Sequence, residues 1–209
     1  SEAAATEELT ANAFEVLDLP QNAEPIFTDG KVVIYTVSNE AHSYEESFVC
    51  DVFYYNITDK KTIQIKKSFN GMITGNPAYI DDKLYGSLYL PNNETGVYQI
   101  DLSEFTSDVT YIWPESVIFE TFYNVNNKLV FHCAVPYEDG LTYYRIGIID
   151  TEAKTADIIA ETACNADNPK GTVIAYMPVY DELIYALTEK YDGEKKKVQL
   201  HYITWQEIF

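Results

Sequence analysis

Four times along the chain, a turn-forming pair is followed by a charged residue and then by apolar ones. The copies are Asp29-Gly30-Lys31-Val32-Val33, Asp81-Asp82-Lys83-Leu84-Tyr85, Asn126-Asn127-Lys128-Leu129-Val130 and Tyr180-Asp181-Glu182-Leu183-Ile184. With Gly30, Asp82, Asn127 and Asp181 taken as equivalent, the spacings are 52, 45 and 54 residues. A second landmark keeps the same order: Tyr55-Asn56-Ile57-Thr58, Tyr98-Gln99-Ile100-Asp101, Gly147-Ile148-Ile149-Asp150 and His201-Tyr202-Ile203-Thr204. Taking Ile57, Ile100, Ile149 and Ile203 as equivalent, its spacings are 43, 49 and 54. Asn, Asp and Gly tolerate positive φ, so the first landmark has a physical reason to turn the chain.

The fullest copy, Asp81 to Ser103, shows what one unit holds. Lys83–Leu90 is apolar and aromatic, Pro91-Asn92-Asn93 breaks it, and Val97–Leu102 resumes with alternating residues. Aromatic and β-branched runs bounded by Pro, Asn and Gly are a strand-turn-strand signal. The other units read likewise, with strands at 31–37, 48–57 and 62–67; 77–80, 83–90, 96–102 and 108–113; 118–123, 128–134, 141–150 and 155–160; and 172–178, 182–188 and 197–205. A period of about 40–50 residues holding about four short strands marks a propeller blade. The expected fold is therefore all-β, a propeller-like array of four repeats of four-stranded antiparallel blades. Unit four stops after three strands, and Ala13–Leu19 (AFEVLDL) alternates apolar and acidic residues. This N-terminal strand is expected to complete the last blade and remove its open edge. An arc of a larger six- to eight-bladed ring fits the same count. A two-sheet sandwich fits less well, because it has no need of the repeat.

The turn-Lys-Leu-aromatic opening and the Tyr-x-Ile-Asp close resemble the blades of bacterial TolB-like β-propeller repeat proteins, a broad group with many surface lipoproteins. The resemblance spans residues 25–207 and rests on turn motifs. It implies the fold and an extracytoplasmic setting, and it transfers no catalytic residue. Residues 1–12 (SEAAATEELTAN) are small and acidic, and read as a flexible segment before a domain of residues 13–209. They look like the spacer that follows a lipidated cysteine, which implies a lipid anchor upstream of Ser1.

Charge excludes one class of partner. The formal net charge is −19, and Arg145 is the single arginine. A protein that grips phosphates needs Lys and Arg on one face, so no nucleic-acid partner is expected. A cationic partner or bound calcium suits the charge, although the bland function of such acidity is to keep a surface with 18 Tyr soluble. No apolar run approaches the ~20 residues that span a bilayer. Cys50, Cys133 and Cys164 are an odd number without metal-type spacing and do not form a disulfide framework.

In a blade, the loop joining the second and third strands lies on the same side as the connections between blades. That places Ser38–Ser47, Pro91–Thr95, Pro136–Gly140 and Glu189–Lys196 on one rim. The candidate ligand-binding residues are His42, Tyr44 and Glu45 in the first loop, Tyr137, Glu138 and Asp139 in the third, and Tyr191 and Asp192 in the fourth. Exposed rings stack on sugars or peptide side chains, and acids accept hydrogen bonds from hydroxyl or ammonium groups. No catalytic residue, cofactor or metal is assigned. Asp139-Gly140 and Asp192-Gly193-Glu194 do not match a calcium loop and read as turns. No G-x-S-x-G elbow or Gly-rich phosphate loop occurs. His132 and His201 read as packed strand residues. His132 and Cys133 point to opposite faces of a strand and so form no dyad. The expected function is non-catalytic binding or scaffolding of a protein or carbohydrate ligand on the rim. The alternatives are a carbohydrate-active hydrolase using two rim or channel carboxylates, and a structural part of a larger propeller.

Overall fold

A computed structural model describes residues 17, 19–38, 49–65, 69–165, 167, 170–176, 179–180, 183–204 and 207. The first three of the turns that recur in the sequence take the conformation their residues favour; Asp181 and Glu182 of the fourth lie outside the described residues. Asp81 and Asp82 have φ of 46° and 58°, and Asn126 and Asn127 have 49° and 58°. Two successive positive φ values close a tight hairpin whose twist matches that of its strands. The first turn is longer, since Thr28 pairs with Val33. Asp29 Oδ1 caps it by accepting the N–H groups of Lys31 (2.8 Å) and Val32 (2.9 Å).

In its first three copies the second landmark is also a turn, whereas the fourth, His201–Thr204, ends β17. Asn56, Asp101 and Asp150 each accept the backbone N–H of the residue three further on, at 2.9, 2.9 and 2.8 Å. Lys60, Phe105 and Lys154 follow at φ 52°, 53° and 56°. The true equivalents are therefore Asn56, Asp101 and Asp150, and it is Tyr55, not Ile57, that matches Ile100 and Ile149. Ile57 copies the sequence pattern from inside the turn, two residues out of register.

Unit one comprises β1 (Ala23–Thr28), β2 (Val32–Ser38), β3 (Val49–Asn56) and β4 (Lys61–Gln64), with β5 (Phe69–Asn70) also on β3. No strand was expected between Leu19 and Lys31, and β1 carries Pro25, a residue disfavoured inside sheets. β1 is the edge of its sheet and shifts register between Pro25 and Phe27. Proline is tolerated at an edge or bulge because no ladder bond is lost there. Unit two is β6 (Met72–Ile80), β7 (Lys83–Tyr89), β8 (Thr95–Asp101) and β9 (Thr106–Ile112), a four-stranded sheet in that order.

Unit three is β10 (Phe119–Val125), β11 (Lys128–Pro136), β12 (Leu141–Asp150) and β13 (Thr155–Asn165). Unit four is β14 (Lys170–Tyr176), β15 (Val179–Tyr180), β16 (Leu183–Asp192) and β17 (Lys195–Thr204). One paired position, Cys164 opposite Gly171, makes units three and four a continuous eight-stranded sheet. The described partner of β17 is β16. The expected closing strand, Ala13–Leu19, lies outside the described residues except for Leu17 and Leu19, which are not in a strand.

The units stack face to face. Ile34, Cys50 and Val52 of unit one pack with Leu84, Leu88, Tyr98 and Ile100 of unit two. Tyr85 and Val97 of unit two pack with Phe122, Leu129, Phe131 and Cys133 of unit three. Val125, Val130 and Ile146 of unit three pack with Ile174, Ala186 and Ile203 of unit four. Successive antiparallel blades that share their faces in this way form an all-β, propeller-like array. The three cysteines are buried and unbridged.

Tyr98 fills the core between units one and two and is fully buried. Its ring lies over Gly86, where a Cβ would come within 2.6 Å of the phenol oxygen. The buried hydroxyl has no hydrogen-bond partner, and burial raises its pKa above the ordinary value. Removing an unsatisfied buried hydroxyl is favourable, whereas adding volume beneath the ring is not. Tyr98→Phe is expected to raise stability by about 1 kcal/mol, and Gly86→Ala to lower it by about 1–3 kcal/mol, both read by urea unfolding.

Candidate functional site

Antiparallel order sends the β2–β3, β7–β8, β11–β12 and β16–β17 connections to one end of the blades. The segment joining β9 to β10 emerges at the same end. His42, Tyr44 and Glu45 belong to the β2–β3 connection and lie outside the described residues.

Tyr137, Glu138 and Asp139 are exposed on the β11–β12 turn. The Tyr137 and Tyr143 rings meet edge to face, with centroids 4.9 Å apart. Asp139 accepts the Leu141 N–H (2.8 Å) and the Tyr143 hydroxyl (3.4 Å). The expected fourth loop, Glu189–Lys196, is mostly strand: β16 runs to Asp192 and β17 starts at Lys195. At the end of β16 the Tyr191 hydroxyl donates to Glu189, which also accepts from Lys196 Nζ at 2.8 Å. Asp192 stands opposite Lys195. Among the described residues, no hydrogen bond, ion pair or ring contact joins Tyr191 or Asp192 to the Tyr137 turn. The structure thus gathers Tyr137, Glu138 and Asp139, and leaves Tyr191 and Asp192 in a separate local network. Asp139-Gly140 and Asp192-Gly193-Glu194 are turns, with Gly140 and Gly193 at φ 80° and 60°.

Strand register builds a polar row that sequence reasoning missed. Glu120 on β10 is opposite Cys133 on β11, Cys133 is opposite Arg145 on β12, and Arg145 is opposite Glu161 on β13. Directly opposite residues share one face of a sheet, here the face toward unit two. Arg145 Nε donates to Glu161 at 2.6 Å, Nη1 to Glu115 at 2.6 Å and Nη2 to the Tyr137 hydroxyl at 2.9 Å. The Tyr137 hydroxyl in turn donates to Glu115 at 3.0 Å. Burial opposes the charge on Arg145, yet these partners raise its pKa above the ordinary value. Burial likewise opposes ionisation of Glu115, and Arg145 and Tyr137 nevertheless hold its carboxyl below the usual range. Burial pushes the Cys133 thiol up to about 12, so it is not a nucleophile near neutral pH.

At the head of the row lies a cavity of about 160 Å³, lined by Thr74, Gly75, Ser87, Tyr89, Thr95, Val117, Ile118 and Glu120. Both Glu120 carboxylate oxygens are buried without a hydrogen-bond partner, and so is the Trp113 indole N–H. Burial raises the Glu120 pKa to about 7, against the opposing pull of Ser87 and Trp113. Two sequence signals pointed here: Glu120 is the one acid in the apolar run Val117–Phe122, and Arg145 is the one arginine of the chain.

A larger cleft of about 580 Å³ opens between units two and three at the opposite end. Asp150 on its wall is spent on capping its own turn. His132 is buried, with Nε2 2.8 Å from the Ile174 carbonyl oxygen. His201, expected to be packed, is exposed; it lies on β17, the outermost of the described strands in its sheet. Among the described residues, no group of three His, Cys, Asp or Glu side chains is placed to hold a metal ion. No helix among them is long and apolar enough to cross a membrane.

No protein-family model and no curated protein matches the sequence. The solved structures similar to the chain include the following three. The β-propeller domain of the Trilobed protease from Pyrococcus furiosus, with an open velcro topology, shows 13% identity and a TM-score of 0.47, over 85% of this chain and 57% of that one. TolB from Acinetobacter baumannii shows 14% identity and a TM-score of 0.37, over 85% and 56%. A glycoside hydrolase shows 10% identity and a TM-score of 0.35, over 87% and 44%. The chain thus spans about half the length of these structures.

The pH dependence of Glu120 has a definite sign. Its native pKa of about 7 stands above the ordinary 4.5. The native state therefore keeps a proton that the unfolded chain releases between these values, and stability falls as pH rises through that window. At 1.36 kcal/mol per unit, ionised Glu120 costs about 3 kcal/mol at pH 8. Glu120→Gln is expected to be more stable than the parent by about that amount at pH 8, with the gap closing near pH 4.5, as measured by urea unfolding at a series of pH values.

Proposed function

We propose that residues 13–209, after the acidic segment 1–12, form a non-catalytic binding or scaffold domain that works outside the cytoplasm. Its ligand, a protein or a carbohydrate, rests on the rim where units two and three meet. One observation carries the reading: Met72, Tyr89, Ile112, Ile118 and Tyr137 are all exposed on that rim. Exposed apolar and aromatic side chains grouped at one place are a mark of interaction surfaces. The extracytoplasmic setting rests on the resemblance of the turn motifs to TolB-like blades.

The Tyr137 platform is held firmly. Arg145 anchors Tyr137 by a hydrogen bond, with the guanidinium carbon 5.6 Å from the ring centroid. The 113–118 segment is fixed at both ends, by Trp113 N–H to Thr95 O and by Ile118 N–H to Ala134 O, each at 2.9 Å. Rigid aromatic anchors bind with little loss of side-chain entropy. The carboxylates favour binding over hydrolysis. A hydrolase needs two free carboxyls across the scissile bond, whereas Glu115 and Glu161 are engaged by Arg145. Glu120 is the one acid lining the rim cavity. A structural role in a larger propeller draws on a different observation, the exposed row Val198, Leu200 and Tyr202 on β17.

Peptide and glycan arrays probed with the purified chain test the proposal. Captured ligands are expected to be lost at least about tenfold by Tyr89→Ala combined with Tyr137→Ala, the usual scale for aromatic anchors. Capture that ignores both substitutions, or cleavage of an arrayed glycan, overturns it.

A further inference from the structure

We infer that the cavity beside Glu120 is a socket for one primary ammonium group, the side chain of a lysine presented by a polypeptide partner. This deepens the reading of the rim as a binding face and rests on it.

The polar side chains lining the cavity are the hydroxyls of Thr74, Ser87, Tyr89 and Thr95 and the Glu120 carboxylate, with no basic group among them. An ammonium carries three donors and no acceptor, so it matches a wall of oxygens around one negative charge. Neither Glu120 oxygen has a donor at full hydrogen-bond geometry, and the pull of Ser87 and Trp113 does not offset its burial; a buried carboxylate is costly until a charge and donors compensate it. At about 160 Å³ the cavity is smaller than the roughly 300–1,000 Å³ that encloses a whole small ligand. It suits a single side chain. Val117, Ile118 and the Tyr89 ring line it beside the acid and give the methylene stem of a lysine an apolar collar. Outside the collar, the exposed Met72 and Ile112 offer contact to the remainder of a polypeptide. The net charge of −19 draws cationic partners toward the chain. Calcium is a poorer match, since it takes six to eight oxygens and this wall supplies one carboxylate.

The charge balance is simple. The lysine enters as –NH₃⁺ and Glu120 gives its proton to solvent, leaving an ion pair in the socket. Binding is therefore linked to pH through Glu120, whose free-state pKa is about 7. The titratable and charged groups nearby do not confuse that signal. Cys133 on β11 stays a thiol, Arg145 on β12 keeps its charge, and Glu115 on the 113–118 segment stays ionised. Glu161 on β13 pairs with Arg145 at the far end of the row. His132 is on the opposite face of β11.

The probe is the peptide acetyl-Leu-Lys-Leu-amide, followed by the NMR resonance of the Trp113 indole N–H beside Glu120. The chain has two tryptophans, Trp113 and Trp205, so assignment is direct. The lysine peptide is expected to shift the Trp113 resonance saturably. Versions with norleucine or acetyl-lysine should bind at least about tenfold more weakly, as expected for loss of a charge-assisted pair. Affinity should fall on the order of 100-fold from pH 8 to pH 5. Glu120→Gln should abolish both the preference for lysine and the pH dependence.

Equal binding of the norleucine peptide overturns the socket, as does full retention of binding in Glu120→Gln. A Trp113 shift with calcium chloride at lower concentration than with the peptide also overturns it. Equal affinity for n-butylammonium assigns the site to free amines and overturns the polypeptide partner. If the lysine peptide fails while array ligands still depend on Tyr89 and Tyr137, the socket falls and the rim reading stands. If the peptide binds while array capture ignores those tyrosines, the rim reading falls instead.

Discussion

Interior blades must bury both faces of their sheets, and the remainder of the architecture follows from that demand. β7 is buried without interruption from Leu84 to Leu88, with Leu84 and Leu88 turned to unit one and Tyr85 to unit three. β11 is buried from Leu129 to Val135. A strand covered on both sides loses the apolar–polar alternation of a half-exposed one. Face-to-face burial also fixes where each blade sits, because each contact is a broad apolar surface and not a single bond. At about 25 cal/mol per Å² of apolar area, such surfaces dominate the stability of the array.

The same demand drives polar chemistry to the ends of the blades. Across unit three the row Glu120, Cys133, Arg145 and Glu161 runs near the rim, where the apolar faces give way to turns. Arg145 neutralises two acids there and leaves Glu120 uncompensated. One guanidinium therefore does two things: it locks Tyr137 into an exposed platform, and it divides the rim acids into an engaged pair and an isolated carboxyl. A lysine at position 145 would lack the planar fork that reaches three partners at once.

Local chemistry was legible in the chain. The Asp-Asp and Asn-Asn turns, the Asx-capped turns at Asp101 and Asp150, the strand pairs and the third rim loop all follow from which residues accept positive φ and which prefer extended backbone. β1 was not expected; it carries Pro25, whose tolerance depends on lying at an edge, and an edge is a property of the sheet. Ile57 misled the repeat alignment because hydrophobic likeness does not report whether a residue is the last of a strand or the first of a turn. Among the described strands, β11 carries His132 between two neighbours, whereas β17 carries His201 beside one.

The sequence by itself determined the Asp-Asp and Asn-Asn turns, most of the strands, the approximate repeat period and hence the class of fold, because these depend on backbone preferences within a few residues. The tertiary structure alone decided which acids matter. Glu115, Arg145 and Glu161 are up to 46 positions apart in the chain and meet through strand register and the path of the 113–118 segment, while Glu120 shares their face without joining them. Glu120 is an ordinary carboxylate in the sequence. Burial between two sheets, out of reach of the guanidinium that holds its neighbours, is what raises its pKa, and no pattern of residues along the chain encodes that distance.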